Sequence, residues 1–253
     1  MVLVEKASKN VIHDEWLSKI LGKDVYKVTI DEEFIRSAQG NGENGRLKKS
    51  SAIPVFLYAK VPTDYLAAVR FLEESGFNLI DTNVIFDKRI VSVTMSENNR
   101  TLRFAIPKDE NHVADLAGEN FTYSRFHLDK SIPAEVANKI KQEWARNYFN
   151  GKRGDQMVVA LMEGRVVGFL QLLRGNNGVL TIDLMAVDRN YRRKGIAGDM
   201  IAFAEAQCRG FSRIVVGTQL ANIPSIRLYE RNGFRVCASQ YVFHYHHFPT
   251  EIK

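Results

Sequence analysis

Met185-Ala-Val-Asp-Arg-Asn-Tyr-Arg-Arg-Lys-Gly-Ile-Ala-Gly-Asp-Met200 carries an apolar strand ending near Val187, a short basic turn, and a helix opening at Gly195. The turn reads Arg192-x-x-Gly195-x-Ala197-Gly198. Small residues let backbone N–H groups approach a ligand closely. The first turn of a helix has N–H groups without intrahelical partners and the positive end of the dipole, which together favour phosphate. Arg192, Arg193 and Lys194 add formal charge at the same place, so a pyrophosphate is the natural guest. A P-loop would need Gly-Lys-Ser/Thr after four intervening residues, which this turn lacks. A dinucleotide fold would need three glycines after its first strand, whereas this turn follows an antiparallel meander. The same glycines would also permit tight packing of strand on helix.

The meander lies upstream. Met157–Met162 and Val166–Leu172 flank Glu163-Gly164-Arg165 and read as an antiparallel hairpin, followed by a turn at Arg174–Gly178 and a strand over Leu180–Val187. Downstream come a helix from Gly195 to Cys208, a strand at Arg213–Thr218, a helix at Ser225–Arg231 ended by Gly233, and a strand from Arg235 to Tyr245. Before the hairpin, a strand at Thr101–Ile106 and helices at Asn111–Glu119 and Ala134–Tyr148 complete this half. The preceding half reads as strand Val25–Ile30, a Gly/Asn/Ser-rich loop Gln39–Ser51, strand Ile53–Ala59, helix Tyr65–Ser75 ended by Gly76, and strand Phe77–Phe86. In that helix Leu66, Val69, Phe71 and Leu72 are available for a core face. The polar turn Ser96–Arg100 divides the chain into residues 1–95 and 101–253.

The halves echo each other. Arg70, Glu73, Gly76, Phe77 and Phe86 fall on Arg227, Glu230, Gly233, Phe234 and Phe243, while Leu72 stands where the second copy has Tyr229. A duplicated unit explains this, and so does the shared chemistry of helix–Gly–strand junctions.

Composition excludes several classes. With 253 residues, 45% of them hydrophobic and 25% charged, the chain is neither collagen-like nor wholly disordered. No window offers the roughly 18 uncharged apolar residues of a membrane span. The charged N-terminal stretch does not read as an export signal, so a cytoplasmic location is expected, with no membrane partner. Cys208 and Cys237 are too few for a disulfide framework and read as small buried hydrophobes. The net charge of +6 favours anionic partners: nucleic acid, a membrane surface or phosphate-rich small molecules. The basic group Arg46-Leu47-Lys48-Lys49 reads as solvated surface.

The strand, the Arg-x-x-Gly-x-Ala turn, the helix and strand after it, and Asn222-x-x-Ser-x-x-Leu-Tyr-Glu-Arg-Asn-Gly-Phe234 resemble the acetyl-coenzyme A-dependent N-acetyltransferases of the GNAT superfamily. The resemblance covers Thr101 to the C-terminus. It implies an α/β fold: a mixed, strongly twisted sheet flanked by helices and splayed to admit the pantetheine arm, here preceded by a smaller α/β accessory domain. It implies acetyl-coenzyme A as co-substrate, with Met185 and Val187 offering main-chain hydrogen bonds to pantetheine. Arg192, Arg193, Gly195, Ile196, Ala197 and Gly198 would hold the pyrophosphate, Asn222 would meet the cofactor, and Tyr229 would sit by the thioester.

An amine attacking a thioester expels a thiolate, and a phenol beside the sulfur can supply the proton. Tyr229 is the candidate, with Ser225 one helical turn away on the same edge. No sharp base motif appears; Asp183, Glu163, a histidine or a water chain would serve, with Asp183 the named candidate. His244-Tyr-His246-His247 puts residues two apart on one strand face, but no third ligand is spaced to complete a site, so no metal is expected.

Trp16–Lys27, Phe71–Thr82, Ser124-Arg-Phe126 and Asn222–Tyr241 look like the sugar-nucleotide N-acetyltransferases, of the dTDP-fucosamine type. That resemblance implies a dTDP-linked 4-amino-4,6-dideoxyhexose as acceptor; the Gln39–Ser51 insertion departs from the pattern. A diphosphate-bearing acceptor needs its own cation, and Arg125 is the candidate, with Phe126 packing on sugar or base. The expected partner is thus a small-molecule amine, with a sugar nucleotide the sharper choice, nucleic acid disfavoured and a homodimer left open. The rival readings are acetylation of a peptide amine or polyamine, and a catalytically silent module binding coenzyme A or nucleic acid.

Overall fold

Strand and helix assignments follow from a computed structural model that describes residues 9–40, 54–90 and 101–248. Most of the Gln39–Ser51 loop with its basic group, the Ser96–Arg100 turn and most of the N-terminal stretch lie outside the described residues. In chain order the elements are β1 (Val11–His13), α1 (Glu15–Leu21), β2 (Asp24–Val28), α2 (Glu32–Gly40), β3 (Val55–Pro62), α3 (Leu66–Glu74) and β4 (Asn78–Arg89). They continue with β5 (Thr101–Phe104), α4 (Glu110–Glu119), α5 (Arg125–Leu128), α6 (Ala134–Phe149), β6 (Gln156–Met162) and β7 (Arg165–Arg174). The chain then forms β8 (Val179–Val187), α7 (Ile196–Gln207), β9 (Arg213–Gln219), α8 (Ile223–Arg231) and β10 (Arg235–His247).

Contacts divide the chain into two compact units. One takes in the chain up to Asn83, Leu128–Ser131 and the residues from Ser239; the other takes in Val84–His127 and Ile132–Ala238. Both β4 and β10 therefore change unit partway along. This departs from the division at 95/101, which treated each domain as one contiguous segment.

In the first unit the strand order is β1-β2-β3-β10-β4. β2 pairs parallel with β3, and β10 lies antiparallel to β3 from Gln240↔Pro62 to His247↔Val55. Two helices that periodicity missed, α1 and α2, flank it. The capping chemistry of α1 is plain in the sequence: the Asp14 carboxylate accepts from the Leu17 N–H at 2.9 Å, and Gly22 ends the helix at φ +64°. A seven-residue helix that fully buries only Leu17 offers too little period to see. The core gathers Leu57, Ala59, Phe71, Leu72, Phe77 and Phe243. Leu66, expected in it, is 59% exposed, and Ala68 faces the core instead.

In the second unit the order is β4-β9-β8-β7-β6-β5, antiparallel from β5 to β8 and parallel between β8 and β9. One core contains Phe86, Leu170, Ile182, Ile196, Met200, Tyr229 and Phe234. The other contains Val113, Ala145, Met157, Phe169, Leu184 and Ala186, under α4 and α6. β8 thus sends Ile182 to the first core and Leu184 to the second, although residues two apart on a regular strand share a face. The pairing explains it. Leu172 faces Ile182 while Gln171 faces Leu184, so Asp183 is an extra residue, a β-bulge that reverses the faces beyond it.

The internal echo is realised in the backbone. Gly76 and Gly233 both turn left-handed, at φ +84° and +82°. The N–H of Phe77 donates to Leu72 O and that of Phe234 to Tyr229 O, each at 3.0 Å.

Candidate active site

β8 and β9 pair only from Val179↔Arg213 to Ile182↔Val216, although both strands run further. The parallel ladder ends where the bulge at Asp183 begins, and the strands beyond it part. Asp188 donates its N–H to Val167 O at 2.9 Å. Backbone groups alternate along an antiparallel strand, so those of Ala186 face β7 and those of Met185 and Val187 face the gap. The side chains of Met185 and Val187, shifted by the bulge, pack at the margin of the core that holds Tyr229 and Ile196.

The turn after β8 is built by Asp188, whose carboxylate accepts from the Asn190 N–H at 2.9 Å. Arg193 adopts φ +62°, which is sterically costly for a residue with a Cβ, and Gly195 follows at φ +80°. Gly195 occupies the N-cap of α7 and offers no side-chain acceptor, so the N–H groups of Ile196, Ala197 and Gly198 keep the orphan donors of a first turn. The side chain of Ile196 is buried in the core, so only its backbone faces outward. At Gly198 a Cβ would lie 3.2 Å from Asn232 Oδ1, so its smallness also serves packing against the end of α8. Arg193 and Lys194 are exposed.

Arg192 is placed differently from its expected role. Its Nε donates to Val187 O at 3.0 Å, and one terminal nitrogen donates to Asn120 O at 3.1 Å and Asn120 Oδ1 at 3.0 Å. Asn120 Oδ1 also accepts the Arg189 N–H at 3.1 Å. The guanidinium thus ties the end of β8 to the end of α4. Asn120 carries no sequence signal for this, since its partners lie about seventy residues on.

α8 opens at Asn222, whose Oδ1 accepts the Ser225 N–H at 3.3 Å while Nδ2 donates to Thr218 Oγ1 at 3.2 Å. Asn222 therefore joins the exit of β9 to the start of α8, with Ser225 half-buried. Tyr229 is 5% exposed, its ring 5.8 Å from Phe86 and 5.6 Å from Phe234. Its hydroxyl makes no hydrogen bond to another described residue. Burial pushes the phenol well above its ordinary range, so it is held protonated.

Two expected site residues sit elsewhere. Asp183 accepts from Arg153 Nε at 2.7 Å, Arg153 Nη2 at 2.6 Å, Trp144 Nε1 at 2.8 Å and Gln171 Nε2 at 3.1 Å. Three of these donors converge on Oδ2 and one on Oδ1, so this carboxylate, only 7% exposed, pins the bulge. Phe126 is 1% exposed, so it cannot stack on a sugar or base. Arg125 is half-buried and lies over the Phe126 ring at 4.3 Å. The segment they occupy is α5, a short helix where a bare connection was expected. Glu163 is a turn residue at φ +51°. Cys208 is buried as expected, whereas Cys237 is exposed.

The histidine pair on β10 does acquire a third group. Asp129 Oδ2 lies 2.6 Å from His244 Nδ1 and 2.7 Å from His246 Nε2. A separation of 115 residues hid it from any spacing rule.

A strand parted from its neighbour, an uncapped helix N-terminus at its end and a buried phenol in the adjoining core thus belong to one region of the second unit. The model of the acetyltransferase (GNAT) family matches residues 120–234. The chain is 30% identical over 242 residues to the spore coat polysaccharide biosynthesis protein SpsD of Bacillus subtilis, covering 90% of this chain and 80% of that one. An N-acetylaspartate synthetase of Xenopus tropicalis is 34% identical over 128 residues, 47% of this chain and 45% of its own. Among solved structures, a GCN5-related N-acetyltransferase from Sphaerobacter thermophilus superposes with a TM-score of 0.62 at 17% identity, covering 94% of this chain and 76% of its own. The chain belongs to the GNAT acetyltransferase family, and it is an enzyme of the acyltransferase class. Among the described residues no helix is long and apolar enough to cross a membrane.

Proposed function

We propose that this enzyme transfers acetyl from acetyl-coenzyme A to the primary amine of a nucleotide-linked amino sugar. The observation that carries the reading is the end of the β8–β9 ladder at Ile182↔Val216, beside the uncapped first turn of α7. The thioester supplies an activated acyl group. The backbone groups of Met185 and Val187, left without a β9 partner, fit the amides of a pantetheine arm as an added strand would. The N–H groups of Ile196, Ala197 and Gly198 fit an oxygen-rich diphosphate, with Arg193 and Lys194 supplying charge.

Tyr229 acts on the leaving sulfur. A phenol raised by burial is a poor acid against a thiol of ordinary pKa, roughly 8.5. Full proton transfer to the thiolate is uphill, so Tyr229 stabilises the departing sulfur chiefly as a hydrogen-bond donor in a dry environment. With Asp183 paired to Arg153 and committed to the bulge, the incoming amine loses its proton to water.

The sugar-nucleotide acceptor is supported by the resemblance to a polysaccharide biosynthesis protein along most of both chains. Similarity to N-acetylaspartate synthetases over 47% of this chain favours a second reading, an amino-acid amine. The test is amine-dependent thiol release from acetyl-coenzyme A with amino-sugar nucleotides, their free sugars, aspartate, polyamines and peptides. The proposal expects the nucleotide-linked sugar to give the highest kcat/KM. Preference for aspartate or peptide amines overturns the acceptor, and no release with any amine overturns the reaction.

A further inference from the structure

We propose that Asp129, His244 and His246 form a binding site for a divalent transition-metal ion, with Zn2+ the ion whose preferences they match. Among the described residues they are a group of three ligating side chains whose donor atoms all lie within 4.8 Å of one another. The side chains are only 3%, 0% and 7% exposed, and all three belong to the first unit.

The sequence places the histidines two apart on β10, on one face of the strand. Aromatic packing then fixes both rings. Phe56 meets His244 edge-on at 4.8 Å and 85°, and stacks on His246 at 4.6 Å and 15°. Phe248 stacks on His246 at 5.9 Å and 6°. The carboxylate is oriented too: the Ser131 N–H donates to Asp129 Oδ1 at 2.8 Å, leaving Oδ2 aimed at the two imidazoles. His244 Nδ1 and His246 Nε2 converge on that single oxygen at 2.6 and 2.7 Å.

Two imidazole nitrogens and one carboxylate oxygen make a donor set suited to Zn2+ and its neighbours in the first row. Zn–N and Zn–O distances are about 2.0–2.2 Å, so tetrahedral donors stand roughly 3.3 Å apart. An ion replaces the two bridging hydrogens, each neutral ring carrying its proton on its other nitrogen; both nitrogens then move from Oδ2 by less than an ångström, and the set, now within 4.8 Å, closes toward that spacing. Exposed Phe248 borders His246 and gives a short route from solvent. Lys23 lies over the same rings, 5.9 Å from Phe56 and 5.3 Å from Phe248. Its positive charge opposes an incoming cation, so the ion must bind against it. The ion's role is structural: it fastens Leu128–Ser131 onto β10.

The test uses tag-free full-length protein equilibrated with Zn2+ and desalted, with metal content and thermal melting measured. Co2+ loading adds a spectroscopic check for tetrahedral coordination. The expected result is one retained ion per chain and a melting temperature that rises with Zn2+ and falls with a chelator. His246→Gln should lose both effects while keeping its far-UV circular dichroism, and Cys237→Ser should keep both. Wild-type protein that retains no ion and melts unchanged in Zn2+, or a His246→Gln variant that binds as well as wild type, overturns the site.

Discussion

Tyr229 and Arg192 were both legible as special residues, one by its place in the repeated helix–Gly–Phe unit and the other by its place before Gly195. Their surroundings were not, because neither Phe86 beside Tyr229 nor Asn120 beside Arg192 is near in sequence. Tyr229→Phe keeps the ring packed against Phe86 and Phe234 and removes only the donor. Removing one preorganised hydrogen-bond donor costs about 10²–10³-fold, so kcat should fall within that range while the KM for acetyl-coenzyme A and the melting temperature hold. Turnover within twofold of wild type would return Tyr229 to a purely packing role. Arg192→Ala should raise the KM for acetyl-coenzyme A by loosening the end of β8 from α4. Asn120→Ala, which removes the Oδ1 acceptor of Arg192 and of the Arg189 N–H together with the Nδ2 donor to Leu116 O, should reproduce part of that rise. An Asn120→Ala enzyme with wild-type KM would show that Arg192 acts on the cofactor directly.

At the scale of an element, β8 shows what alternation hides. Leu180 to Val187 reads as one regular strand, and only its partner reveals that Asp183 is supernumerary. The bulge ends the ladder with β9 and turns Leu184 and Ala186 to the opposite core. The polar cluster on α6, the connection after it and β7 that holds the bulge was invisible for the same reason: Trp144, Arg153 and Gln171 each look like ordinary amphipathic residues. Asp183→Asn leaves a shape match but gives up the charge that Arg153 pairs with, in a site 7% exposed. A buried ion pair broken on one side costs roughly 3–5 kcal/mol, less where one partner is partly solvated, as Arg153 is. The variant should therefore melt lower and bind acetyl-coenzyme A more weakly, with the shape of its pH–rate profile unchanged. Loss of the acidic limb of the pH–rate profile with normal stability would instead make Asp183 the general base.

The whole molecule is where the sequence misleads most, and the internal echo was the clue. A helix, its terminating glycine and the next strand occur twice, at α3–Gly76–β4 and α8–Gly233–β10. In both copies the strand begins in one unit and ends in the other. Phe86, at the far end of β4, is fully buried in the core with Tyr229, and Phe243, its counterpart on β10, is buried in the core with Leu72. Neither residues 1–95 nor residues 101–253 therefore contain a complete core. A fragment of residues 101–253 lacks Val84 and Phe86, a loss that in a packed core costs about 3–5 kcal/mol for the aromatic ring alone. It also carries Gln240–His247 without the β3 strand these residues pair with, leaving an apolar edge open to other chains. Expressed alone, the fragment should aggregate or lack a cooperative melt. Co-expression with residues 1–95 should restore a soluble, cooperatively melting complex. A monomeric 101–253 fragment with a sharp thermal transition and thiol-releasing activity would show that the second unit closes without β4, and that the exchange of strands is not needed for its fold.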